Sequence, residues 1–257
     1  MTSLEAALEA VRDGMVIGVG GSPLSRKPMD AVRALAARHP KDLELVTFTG
    51  SLDVELLIAS GSLRAVRASH VSLGEAGRAE LFQAAVMTGE IEDLEESEWM
   101  LLGRLRAAAA GMPFLPTRAA LGSDLAAARG LREVADPYTG TTYLAMPALA
   151  PDVAIVHAWR ADAAGNVQMP WPPDHLADVD VLLARAARHT IVTVERLVPS
   201  EEIAQTADRT VLFGFEVAAV VEAPRGAWPT GSPSDYPANV AEVRTAAEAA
   251  SHAKENV

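Results

Sequence analysis

The sequence predicts an α/β fold, an open and mostly parallel sheet with helices on both faces. Two observations carry that reading. Short, near-continuous apolar runs at residues 15–19, 43–48, 65–71, 153–158 and 189–194 have the composition of strands buried on both faces. Segments with apolar residues at helical spacing separate them, so consecutive strands need crossover connections. At 257 residues, 49% hydrophobic and 22% charged, the chain has ample material for one such domain over 1–257.

The elements follow in order. Thr2-Ser3-Leu4-Glu5 reads as a capping box opening a helix that carries Leu4, Leu8 and Val11 on one face and stops at Gly14. The strand at 15–19 runs into Gly20-Gly21-Ser22-Pro23, and a helix opens near Pro28 with Met29, Val32 and Leu35 along one side. The strand at 43–48 is followed by a short helix at 54–60, ended by Gly61, and then by the strand at 65–71. Helices are expected at 78–87 and 98–110, the second closed by Gly111 with Pro113 beyond. The stretch after Gly111 reads as loop-rich, with Gly122-Ser123-Asp124 and Asp136-Pro137-Tyr138-Thr139-Gly140. Beyond the strand at 153–158, Asp162 to Asn166 supplies turn chemistry. A helix at 176–187, strands at 189–194 and 216–221, a Pro-rich surface loop from 224 to 237 and a terminal helix after Asn239 complete the chain.

Composition excludes several classes. With no cysteine there is no disulfide framework, no thiolate nucleophile and no Cys-ligated metal, and the expected compartment is the cytoplasm. A formal net charge of -12 argues against a nucleic-acid surface. Screening over about 8 Å still leaves room for a small phosphate-bearing ligand held by local groups. No apolar run approaches the ~20 residues of a membrane span, and no basic, apolar leader opens the chain. The six histidines form no His-x-x-x-His pair, so no metal site is expected.

The glycine turn fails the dinucleotide and P-loop templates, since Pro23 stands where the third glycine belongs and no Gly-Lys-Ser/Thr follows. Two readings remain: backbone donors at Gly20 and Gly21 forming an anion or oxyanion site, or a turn chosen for packing. Arg26 and Lys27 beside it either bind phosphate or carboxylate or are solvated. Glu98 opens the 98–110 helix, where the helix dipole favours a carboxylate by about 0.3–1 kcal/mol, a sufficient reason for it with or without chemistry. The acidic run Glu92, Asp93, Glu95, Glu96 and Glu98 reads as a solvated face. Arg118 follows an apolar segment, Pro113 to Thr117, and needs a partner if buried: a carboxylate such as Glu98, or a substrate.

Motifs along the chain resemble the A subunit of the class I CoA-transferases, in particular the glutaconate CoA-transferase branch. They are Gly18-Val19-Gly20-Gly21 with Arg26-Lys27-Pro28, Gly111-Met112-Pro113-Phe114-Leu115-Pro116, Gly122-Ser123-Asp124, Asp178-Val179-Asp180, Thr190 to Glu195, and Ala219 to Pro224 with Gly226-Ala227. The resemblance implies an active site between A and B subunits, with coenzyme A as a substrate rather than a resident cofactor. In the transferases a B-subunit glutamate attacks the acyl-CoA thioester. Its Ser/Glu-Glu-Asn/Ser-Gly motif is missing here, since Ser97-Glu98 is followed by Trp99 and Ser200-Glu201 by Glu202.

The first expectation is therefore half of a CoA-transferase in a hetero-oligomer with a B-type chain, a dimer of heterodimers or larger. Gly20, Gly21, Arg26 and Lys27 would serve the thioester and CoA, and Arg118 or Ser123 would orient a carboxylate. The sequence is also similar to the A subunit of the two-subunit hydrolase that opens the last ring in bacterial steroid degradation. That resemblance implies Glu98 and Arg118 as the catalytic pair. A non-catalytic CoA-binding subunit is the third reading.

Overall fold

The computed structural model describes residues 2–233 and 235–255. Residues 1, 234, 256 and 257 of the expected 1–257 span lie outside them. The first half contains α1 (Leu4–Leu8), β1 (Val16–Val19), α2 (Met29–Arg38), β2 (Leu43–Gly50), α3 (Leu52–Ala59), β3 (Leu63–Val71), α4 (Glu80–Thr88), β4 (Glu92–Asp93) and α5 (Glu98–Ala109). Next come β5 (Phe114–Thr117), α6 (Asp124–Ala128), β6 (Arg132–Ala135), β7 (Thr142–Pro147), β8 (Val153–Ala161), β9 (Val167–Gln168), α7 (Ala177–Ala186) and β10 (His189–Leu197). The chain closes with α8 (Ser200–Ala204), β11 (Thr210–Leu212), β12 (Ala219–Glu222) and α9 (Val240–Glu255).

Among the described residues nine strands form one sheet, in the order β11-β9-β8-β1-β2-β3-β4, with β10 pairing β8 and β12. Every pairing among β1, β2, β3, β4, β8, β10 and β12 is parallel, and only β9 and β11 join antiparallel. This is the predicted fold class. Strand β2 is buried along its whole length because helices cover both of its faces. Leu45 points into a core with Leu8, Val32, Leu35, Leu57 and Val243, from α1, α2, α3 and α9. Its neighbours Val46 and Phe48 point the other way, onto Leu101 and Leu105 of α5 and Val179 and Leu183 of α7. Helix α7 lies so close to β1 that a Cβ at Gly18 would sit 2.8 Å from Leu183 Cδ1.

Four expectations are corrected. The cap of α1 is Ser3, whose Oγ accepts from Ala6 N at 3.2 Å, and not Thr2. The loop-rich middle contains a three-stranded antiparallel sheet, β5-β7-β6, with Phe114 opposite Pro147 and Arg132 opposite Ala145. It escapes sequence reading because β5 and β6 hold only half-buried and exposed positions, with no residue deep enough to mark a strand. The last strand begins at Ala219 rather than 216. The segment at 224–237 is exposed at Pro224, Arg225, Asp235 and Pro237, but 226–232 form a largely buried strap: Ala227 and Thr230 have no exposed surface, and Gly231 pairs with the first loop, donating to Leu24 O and accepting from Arg26 N. No helix of the described residues is long and apolar enough to cross a membrane.

Candidate active site

In an open parallel sheet, ligands bind beyond the carboxyl ends of the strands. Two segments with candidate residues lie there, the loop after β1 and the turn from β4 into α5.

The loop after β1 is closed on itself. Gly21 has φ +84, and a Cβ on it would lie 2.6 Å from Arg26 C, so the turn requires glycine. Its N–H donates to Asp180 Oδ1 at 2.8 Å, and the Gly20 N–H donates to Ile155 O at 3.0 Å. Both expected oxyanion donors are thus occupied by this chain. Arg26 and Lys27 are fully buried. The Arg26 guanidinium pairs with Asp180 through Nη1 and with Asp174 through Nε at 2.7 Å. Burial pulls Arg26 down, but Asp180 and Asp174 outweigh it and hold the group above its ordinary range. Lys27 Nζ contacts Asp53 at 2.7 Å and Thr47 Oγ1 at 2.9 Å. In this chain the two cations expected to meet CoA act as internal braces, each buried charge having a carboxylate partner.

The turn into α5 divides its carboxylates. Residues 92–96 run along β3, with Leu94 N donating to Val66 O at 2.7 Å and Glu96 N to Ala68 O at 3.3 Å. Ser97 caps the helix, its Oγ accepting from Met100 N at 3.3 Å. Glu98 is exposed and has no hydrogen bond or ion pair to another side chain among the described residues. Glu96, two residues earlier, is 1% exposed and pairs with Arg67 and Arg104. The acidic run is therefore not one solvated face. Trp99, beside Glu98, is 65% exposed, with Arg106 over its ring.

Strand β5 brings Arg118 back toward this turn. Helix α5 rises about 16 Å from Glu98 to Ala109 at 1.5 Å per residue, and the chain returns about 13 Å from Phe114 to Arg118 at strand spacing. The two run side by side, since a Cβ on Gly103 would lie 3.5 Å from Leu115 Cδ2. Arg118 is exposed and carries no ion pair among the described residues, so the buried pairing considered for it gives way to a free guanidinium just beyond the end of β5. Ser123 stands at the N-cap position of α6 without a side-chain bond to the helix, and its Oγ donates to Ala120 O at 2.7 Å. Arg129, at the far end of α6, donates to Asp93 O at 2.9 Å and Glu95 O at 3.0 Å and ties this helix to the same turn.

Sequence reasoning missed a third cluster. Glu195, at the end of β10, accepts from Tyr236 OH at 2.6 Å and Arg225 N at 2.7 Å, and lies 2.8 Å from His157 Nε2. Burial raises its pKa, but the bonds from His157, Tyr236 and Arg225 outweigh this and lower it to about 2. The cluster anchors the strap over the first loop. Glu195 and Asp180 both stand in motifs that carried the resemblance, and that was the available signal. Among the described residues no group of three His, Asp or Glu side chains could hold a metal ion.

This fold, a mostly parallel sheet with a glycine turn braced from α7, is that of a subunit of the CoA-transferase type. The coenzyme A transferase family matches residues 1–223, and the chain belongs to that family. It is 40% identical over 235 residues to the cholesterol ring-cleaving hydrolase IpdA subunit of Rhodococcus jostii, covering 88% of this chain and 78% of that one. An uncharacterized protein of Archaeoglobus fulgidus is 35% identical over 92% of this chain, which spans only 52% of that relative's length. Among solved structures, a variant of the decarboxylase AibA/AibB superposes with a TM-score of 0.86 at 34% identity, covering 99% of this chain and 96% of that one. Glutaconate coenzyme A-transferase from Acidaminococcus fermentans superposes with a TM-score of 0.89 at 26% identity, covering 99% and 85%.

Proposed function

We propose that the chain is the A-type half of a two-subunit enzyme acting on CoA thioesters, and that it hydrolyses a C–C bond in a cyclic CoA thioester with Glu98 and Arg118 as its catalytic pair. The observation that carries this is the state of Glu98. Its carboxylate is exposed and unpartnered at a helix start, while its neighbour Glu96 is consumed by ion pairs. Hydrolytic cleavage beside a ring carbonyl needs a base for water and a cation for the oxygen that gains charge. Glu98 accepts a proton as the water oxygen bonds to the carbonyl carbon. The ring C–C bond then breaks, and Glu98 returns the proton to the departing carbon, so that one water is added overall. Arg118 holds the oxyanion or a substrate carboxylate. The greater sequence identity to the ring-cleaving subunit, 40% against 30% for the glutaconate CoA-transferase A subunit, favours this order of readings.

The two-subunit make-up of its relatives, as in the IpdA subunit and AibA/AibB, supports a site completed by a B-type partner. A hetero-oligomer in the cytoplasm, with coenzyme A as a passing substrate, follows from the same reading. CoA transfer through a glutamyl intermediate on the partner is the second reading, favoured by the superposition on glutaconate CoA-transferase. In that case oxyanion donors come from the partner or from a rearranged loop, because the Gly20 and Gly21 N–H groups are already bonded here.

The test is co-expression with the B-type partner and two assays: release of ring-opened product from cyclic CoA thioesters, and CoA exchange onto dicarboxylates with borohydride trapping. Glu98→Gln is expected to lower hydrolytic turnover by about 10²–10⁴-fold with assembly retained. Exchange with trapping on the partner, and wild-type turnover in Glu98→Gln, would establish transfer instead.

A further inference from the structure

We propose that Glu96 is a positioning residue, the buried anchor that sets both arms of the catalytic edge, and that Arg104 is the group through which it does so. The proposal rests on the reading of Glu98 and Arg118 above and deepens it. The Glu96 side chain has no exposed surface. One of its oxygens lies 2.5 Å from Arg67 Nη1 on β3 and 2.6 Å from Arg104 Nε, and the other accepts from Arg104 Nε at 2.8 Å.

Arg104 belongs to α5, the helix that Glu98 opens. Its guanidinium also donates to Pro147 O at 3.4 Å, and its carbonyl accepts from Leu149 N at 3.2 Å. Pro147 stands opposite Phe114 in the β7–β5 pair, the strand that leads to Arg118. One buried carboxylate therefore fixes the sheet edge, the helix start and the strand carrying the arginine. Removing its charge leaves Arg67 with Glu44, at 2.9 Å, but leaves Arg104 with only carbonyl contacts. Misplacement of a catalytic group by about 1 Å can cost 10²-fold in rate, so a lost anchor is read in turnover.

The experiment uses the co-expressed two-chain enzyme and the cyclic CoA thioester that it turns over, with kcat, KM and unfolding midpoint measured for four variants. Glu96→Gln is expected to lower kcat about tenfold or more with KM within about twofold, in a chain that still assembles. Arg104→Lys keeps the charge but loses the fork, and is expected to lower kcat less and in the same direction. Glu55→Gln is the stability control. Glu55 is equally buried but caps α4, accepting from Leu81 N and Phe82 N on the opposite face of the sheet, and kcat is expected to stay unchanged as the midpoint falls. Wild-type kcat in Glu96→Gln, or in Arg104→Lys should Glu96→Gln fail to fold, overturns the proposal. So does an equal fall of kcat in Glu55→Gln, which makes the effect one of stability. Glu98→Gln separates the two levels. If it retains turnover, the reading of Glu98 fails and the anchor has nothing to position. If it is inactive while Glu96→Gln is not, only the anchor fails.

Discussion

The loop after β1 and the turn into α5 carry similar chemistry and use it in opposite ways. Both lie at the carboxyl edge of the sheet, and both combine charged residues with a helix start. In the first, the two backbone donors and both cations are satisfied inside the chain, by Ile155 O, Asp180, Asp174 and Asp53. In the second, Glu96 is satisfied and Glu98 and Arg118 are not. Free valence, rather than the residue type or a glycine nearby, separates a site from a brace: groups already paired have little left to offer a substrate.

The comparison can be broken by substitution. The largest effect is expected from Asp180→Ala, which strips Arg26 of one buried partner and Gly21 N–H of its acceptor. Losing one member of a buried pair costs about 3–5 kcal/mol, so urea unfolding should show a greatly weakened chain. A loss below about 1 kcal/mol would mean that the loop is not braced as described.

Next comes the strap that closes the first loop. The Glu195 pKa falls from an ordinary 4.5 to about 2, so its contribution to stability is fully present above pH 4.5 and is lost as pH falls toward 2. Unfolding midpoints followed from neutral pH downward should decline over that window, and Glu195→Gln should flatten the decline. At the turn into α5 the expected effects on stability are smaller. Ser97→Ala removes a helix cap worth about 1 kcal/mol, measurable as a modest shift in midpoint. Glu98→Gln comes last, with stability falling by about 0.3–1 kcal/mol, the helix-dipole share of an exposed first-turn carboxylate. Its main effect belongs in turnover, and a larger loss of stability in this variant would place Glu98 among the braces.

Much of the fold was legible because burial on both faces leaves a linear trace. The all-buried β2 reads as an apolar run, and the helices that cover it read as periodic segments. Gly111, with φ +66, ends α5 where its position implied. The sheet β5-β7-β6 left no such trace, because its strands are short and only Leu144 and Met146 of β7 are buried. Of the candidate site, Glu98 at a helix start was legible from Ser97 and the periodicity behind it. The burial of Glu96 was not, since an acidic residue among four others looks solvated until Arg67 and Arg104 are brought to it from other elements of the fold.

The sequence by itself determined the α/β class, the order of the main strands and helices and, through short motifs, the family. Those features depend on local periodicity and on residues close in the chain. Only the tertiary structure decided which charges are spent. Arg26 meets Asp180, Lys27 meets Asp53, Glu96 meets Arg67, and β5 packs beside α5 through contacts between separate segments. A buried charge must find a partner and an exposed one need not. Which residues are buried is settled by how the helices and sheets pack, and the chain does not state that locally.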